Sequence, residues 1–225
     1  MRDVKKYRYI FAAVITIVIF ALGMLFSNFV DDQRYSSLRN EIQEDNVELE
    51  SWQLQLSYLR SEDVESCRAL QSGLQDVVSN YNSRLDDIQN YEENSFFRKD
   101  DFESMKNLYV LSGLRYWMFA EELKDNCEYD ANTVLYFTTQ IGEAKDCESC
   151  GYTGEQLSIL KQKYGEQLLI FTVPTQFEDG FVEMLETRHN VTEIPTVIIN
   201  DNSTKRLSGS VSSQEIERHL WSEDQ

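Results

Sequence analysis

The residues with the clearest chemical potential are Cys147 and Cys150, separated only by Glu148 and Ser149. Two thiols at that spacing can close a small disulfide and open it again, exchanging electron pairs with other thiols and disulfides. An apolar strand, Thr133 to Thr138, is expected before them, and a helix from Gly151 to about Tyr164 after them. A cysteine at a helix N-terminus meets unpaired backbone N–H groups and the positive end of the dipole. Both favour thiolate, the form that attacks. Asp146 and Glu148 bring negative charge close to Cys147 and oppose that effect, which points to a less oxidising pair than one with neutral or basic neighbours.

The elements that must position this pair follow in order. A second apolar strand runs Leu168 to Val173, then a helix from Glu178 to His189, then Ile194-Pro195 directly before a third apolar run, Thr196 to Ile199. Asp201-Asn202-Ser203 is expected to turn the chain into Lys205 to Ser208. A final amphipathic helix, Ser213 to Trp221, would cover the sheet with Ile216, Leu220 and Trp221. This order predicts a parallel strand pair joined by a helical crossover, followed by an antiparallel hairpin.

Cys-x-x-Cys beside a strand–helix–strand unit, with Ile194-Pro195 before the next strand, resembles the thioredoxin-like superfamily over residues 131–222. The resemblance implies a mixed sheet with flanking helices and thiol–disulfide exchange on protein cysteines. Cys147 would attack and Cys150 would resolve, with a redox partner protein to reset the pair. It also implies that Pro195 is cis and lies against the dithiol, and that the Ile194 backbone offers hydrogen bonds to an extended substrate segment. Proline lowers the cost of a cis bond to about 0.5–1 kcal/mol, which makes that geometry accessible. The chain departs from the family pattern in three ways. No tryptophan precedes Cys147, the intervening pair is Glu-Ser, and the loop Gln140 to Asp146 is longer than usual. These departures bear on redox potential and substrate choice.

Upstream, Ile10 to Phe26 is almost wholly apolar, with Arg2, Lys5, Lys6 and Arg8 before it and Asp31 and Asp32 after it. That length suits a single membrane crossing, and the basic flank predicts a cytoplasmic N-terminus with the rest of the chain outside. A cleaved signal peptide would have a shorter apolar core and a small-residue cleavage pattern. Residues 1–30 therefore read as basic flank and anchor, 31–127 as a helical stalk or hairpin, and 128–225 as the α/β domain. In the middle region Leu38, Ile42, Leu49, Trp52, Leu56 and Leu59 form a helical stripe. It resumes after Ser61 as Val64, Cys67, Leu70, Leu74, Val77, Tyr81, Leu85 and Ile88. A third helix carries Phe102, Met105, Leu108, Tyr109, Leu114, Trp117, Met118 and Leu123. Folding these helices back on one another would satisfy the stripes; pairing with a second copy of the chain would also do so.

Cys67 and Cys127 lie in separate helical regions that share an end if the helices fold back. Outside the cell they are expected to form a structural disulfide, the alternative being two buried thiols. A zinc site built from all four cysteines fits less well, because zinc ribbons usually offer two close pairs. No cofactor fingerprint or metal-ligand cluster is evident. A net charge of -18, from 39 acidic against 21 Lys and Arg residues, argues against a nucleic-acid partner. His189 and His219 read as surface residues without a catalytic pattern. Asn190-Val191-Thr192 and Asn202-Ser203-Thr204 are N-glycosylation sequons in an exported region. The rival to an exchange enzyme is a redox-inactive interaction or scaffold module, with the dithiol as a permanent staple.

Overall fold

The computed structural model describes residues 6–58, 64–94, 99–139, 147–177 and 179–221. Leu59, Ser61, the loop Gln140 to Asp146 and Glu178 lie outside the described residues. The chain divides into two compact units, Met1–Gln43 and Glu44–Gln225.

In the first unit, helix α1 (Lys6–Tyr58) carries the apolar span Tyr9–Ser27, 19 residues with a mean hydropathy of 2.7 and none of them buried. At about 1.5 Å per residue it covers roughly 28 Å, close to the thickness of a hydrocarbon core. Among the described residues it is the one helix long and apolar enough to cross a membrane, by length and composition. The Thr16 hydroxyl donates to the Ala12 carbonyl at 3.0 Å, so its polarity is satisfied inside the helix.

The second unit begins with the end of α1 and continues through α2 (Val64–Asn94) and α3 (Lys99–Cys127). Trp52 of α1 stacks near Phe119 of α3, with ring centroids 6.0 Å apart. Asn46 donates to the Ser112 hydroxyl at 3.1 Å and accepts from Arg115 at 3.2 Å. Positions 46 and 52 thus match 112 and 115–119 in the same direction, so this part of α1 runs parallel to α3. Helix α2 runs antiparallel to both: Cys67 near its start is disulfide-bonded to Cys127 at the end of α3, and Tyr81 stacks on Tyr109 at 4.1 Å. The tight fit requires glycine at Gly113, because a Cβ there would overlap the Tyr81 hydroxyl.

Four strands follow in the order β2-β1-β3-β4, where β1 is Asn132–Thr138, β2 Leu168–Pro174, β3 Thr196–Ile199 and β4 Asn202–Ser208. Strands β1 and β2 are parallel, linked by helix α4 (Glu148–Tyr164) and a short 3-10 turn, Gly165–Gln167. Strand β3 is antiparallel to both β1 and β4. Every residue of β1 is buried, as expected for a central strand covered on both faces. On one face Val134, Tyr136, Leu168, Val197 and Ile199 join Leu157 and Leu160 of α4 and Ile216 and Leu220 of α6 (Ser213–Leu220) in a single core. The alternate residues, among them Thr133, Leu135, Phe137, Leu169 and Phe171, face the other way.

Helix α3 covers that second face. Lys124 of α3 donates to the Thr133 hydroxyl and the Asn200 side-chain carbonyl, both at 3.0 Å, and Tyr81 of the neighbouring α2 reaches Phe171 with ring centroids 6.4 Å apart. Burial pulls the Lys124 ammonium below its ordinary pKa, and the carboxylate of Glu121 at 3.1 Å opposes that pull. The third helix therefore belongs to the α/β core as well as to the helical hairpin.

The turn between β3 and β4 sits at Asn200-Asp201, one residue earlier than the sequence suggests, with φ of 55° and 51°. Two consecutive left-handed residues fit the tight hairpin turn, and Asn and Asp tolerate that region. Asn202 is consequently free to pair with Ile199 as the first residue of β4.

Candidate functional site

The dithiol sits where β1 hands over to α4. Cys147 is the N-cap residue, and the helix begins at Glu148, three residues earlier than expected. The Cys147 carbonyl accepts from the N–H groups of Cys150 at 3.0 Å and Gly151 at 3.2 Å, and its Sγ accepts from the Cys150 N–H at 3.2 Å. The sulfur does the work a Ser or Asp side chain does at ordinary caps. Cys147 and Cys150 are joined as a disulfide with Cα atoms 5.2 Å apart. Cys150 is 2% exposed, whereas Cys147 is only half-buried, so a partner molecule can reach only the first sulfur.

Beneath the pair, the Tyr136 hydroxyl on β1 donates to the Cys150 carbonyl at 2.6 Å. Burial raises the Tyr136 pKa, which keeps that hydroxyl protonated and donating. Gly154, one turn on, stands 3.8 Å from the Tyr136 ring when extended by a Cβ, an ordinary contact. The flank is braced by Thr153, whose hydroxyl donates to the Gly209 carbonyl and accepts from the Val211 N–H, both at 3.2 Å. The Gly209 N–H in turn donates to the Pro195 carbonyl at 2.8 Å, with Gly209 at φ 80°, a region glycine occupies without steric cost.

That chain of bonds holds the Ile194-Pro195 segment beside the dithiol. The Ile194–Pro195 peptide is cis, and the Thr196 hydroxyl fixes the approach by donating to the Glu193 carbonyl at 2.7 Å. An open depression of about 770 Å³ lies over the junction. Cys147, Glu148 and Ser149 form one side, Tyr152 extends it along α4, and Ile194, Thr139 and Ser210 complete it. Of the site residues singled out in the sequence, Cys147 and Ile194 line this depression together. Cys150 and Pro195 are buried behind it, and the disulfide Cys67–Cys127 lies in the helical hairpin. Sequence reasoning missed Tyr136, Thr153, Thr139 and Ser210, none of which carries a local signal.

His189 corrects the sequence reading. It is wholly buried at the C-cap of α5 (Gly180–Arg188), with Nε2 3.0 Å from Asp201 Oδ1. Arg188 pairs with the other oxygen of Asp201, and Arg206 donates to the carbonyls of His189 at 2.9 Å and Asn190 at 2.6 Å. Burial lowers the His189 pKa, and the nearby Asp201 carboxylate only partly restores it. A polar residue at a helix end looks solvated in sequence, but the β3–β4 hairpin folds over this one. His219, on α6, is half-buried. No group of residues that could hold a metal ion occurs among the described residues.

No family model and no curated protein matches the chain. Among solved structures, one described as the structure of a malarial protein is 25% identical, covering 40% of this chain and 93% of that one, with a TM-score of 0.33.

Proposed function

We propose that this chain is a membrane-anchored thiol–disulfide oxidoreductase with a thioredoxin-like domain, acting on protein cysteines outside the cytoplasm. The observation that carries the reading is the pairing of an accessible Cys147 sulfur at a helix N-cap with Ile194, both lining one open depression, while Cys150 waits buried one turn deeper. In the reduced form the Cys147 thiolate attacks a client disulfide, forming a mixed disulfide and releasing one client thiolate. Cys150 then attacks the Cys147 sulfur, and the second client thiolate leaves. The client gains two electrons and the enzyme ends oxidised, to be reset by a redox partner protein. In reverse, the oxidised pair passes its disulfide to a reduced client. An extended client segment would take backbone hydrogen bonds from Ile194, which suits a depression too open to enclose a small molecule.

The basic flank Arg2, Lys5, Lys6 and Arg8 keeps the N-terminus cytoplasmic, and Asp31 and Asp32 follow the span on the far side. An oxidising compartment there accounts for two closed disulfides. The test is a Cys150→Ser chain expressed in its own cell. A covalent, reductant-sensitive complex that disappears when Cys147 is also replaced supports exchange. A second reading, a binding module stapled by the dithiol, draws on Cys147 serving as the N-cap of α4, a structural task. A purified chain that neither reduces nor oxidises any model disulfide would favour it.

A further inference from the structure

We propose that Asn190 is an N-linked glycan acceptor, and that Asn202, which also begins a sequon, is not. The inference rests on the topology proposed above but not on the redox chemistry.

Helix α5 ends in a Schellman motif. The Val191 N–H donates to the Glu186 carbonyl at 2.8 Å, the Asn190 N–H donates to the Thr187 carbonyl at 3.2 Å, and Asn190 itself is left-handed at φ 49°. Asn is one of the few non-glycine residues suited to that position. The same geometry settles what its side chain does. The backbone is held by its own hydrogen bonds and by Arg206 at the Asn190 carbonyl, so the carboxamide is not needed to build the turn. Among the described residues nothing bonds that carboxamide, and both Asn190 and Thr192 are exposed. A large, hydrated substituent on Nδ2 would stand in water and displace no packed group.

Asn202 offers the opposite setting. It is half-buried, paired with Ile199 as the first residue of β4, and adjoins Asp201, which is engaged with His189 and Arg188. A glycan there would crowd the turn that closes over a fully buried histidine.

The reaction needs a phospholipid-linked oligosaccharide as donor. The Asn190 Nδ2 bonds to the anomeric carbon of the sugar, the bond from that carbon to the lipid phosphate oxygen breaks, the lipid phosphate leaves, and Nδ2 gives up one proton. No electrons change hands.

The test is synthesis of the full chain into sealed microsomes that carry an oligosaccharyltransferase, with protease added outside. The expected result is a protected C-terminal domain and a single step to lower mobility, reversed by a peptide N-glycosidase. The step should vanish in Thr192→Ala, persist in Thr192→Ser, and persist in Thr204→Ala. These substitutions leave the left-handed Asn190 and its turn intact. A step that survives Thr192→Ala, or no step in a protected domain, overturns the proposal while leaving the topology standing. A domain digested from outside overturns both.

Discussion

Tyr136 and His189 show how much of this chain's behaviour rests on single buried polar groups. Tyr136 donates to the Cys150 carbonyl from β1, with its ring packed in the core beneath α4. Tyr136→Phe removes the hydroxyl and keeps the ring, so the expected loss is about 1 kcal/mol in a denaturant melt, the net worth of one such bond. Tyr136→Ala opens a cavity as well and should cost roughly 3–5 kcal/mol. Equal losses in the two variants would show that the ring packs loosely and the hydroxyl dominates. For His189, the folded pKa lies below the ordinary value of 6.5 because burial disfavours the cation more than Asp201 favours it. The unfolded chain then takes up a proton before the folded chain does. Stability from this group is complete above about pH 6.5 and is lost as pH falls toward the folded pKa. Melts from pH 8 down to pH 5 should therefore fall more steeply for the native chain than for His189→Gln. Parallel slopes would mean that His189 takes up its proton alike in the folded and unfolded chains.

Among the elements, the hairpin of α2 and α3 has the strongest covalent support. The Cys67–Cys127 bond spans 60 residues. In the chain-entropy model a loop of that size contributes about 4 kcal/mol. Replacing both cysteines with Ala should lower stability by about that amount, read from the denaturant midpoint and slope together, because the released unfolded chain expands and the slope rises. Because the hairpin also covers the β1–β2 face, through Tyr81 of α2 near Phe171 and Lys124 of α3 at Thr133, unfolding should stay one transition for hairpin and sheet together. Two separated transitions would show that the helical layer is an appendage. This docking is the part least visible in the sequence. The apolar runs of β1, β2 and β3 and the helical stripes are local patterns, and they announce their elements directly. Which sheet face the hairpin covers depends on contacts between residues such as Tyr81 and Phe171, ninety positions apart, where no periodicity speaks. The start of α4 was hidden for a different reason, since cysteine is not among the residues expected to cap a helix. The buried state of His189 was hidden because the hairpin that covers it turns at Asn200-Asp201, through left-handed residues that a pattern of polar side chains locates only to within a residue.

For the molecule as a whole, the governing quantity is a net charge of -18. An excess of one sign makes a potential that reaches beyond any single side chain and biases which molecules arrive at the surface. Glu148, exposed at the rim of the depression beside Cys147, brings that sign to the proposed point of exchange. If Cys147 exchanges with disulfides, cationic ones should arrive faster than anionic ones of similar size. The reduced protein is expected to react with cystamine about tenfold faster than with oxidised glutathione at low ionic strength, within the usual range for electrostatic steering. Intrinsic reactivity also differs between those two compounds, so the decisive reading is the salt dependence. Raising ionic strength from about 0.01 M to about 1 M shortens the screening length from roughly 30 Å to roughly 3 Å. The cystamine rate should then fall, the glutathione rate should rise, and the two should converge on their intrinsic ratio. Glu148→Gln isolates the local share of the effect: it should narrow the gap at low salt and leave the rates at high salt unchanged. Rates that ignore salt for both compounds would show that the charge of the chain lies too far from the sulfur to select what reaches it.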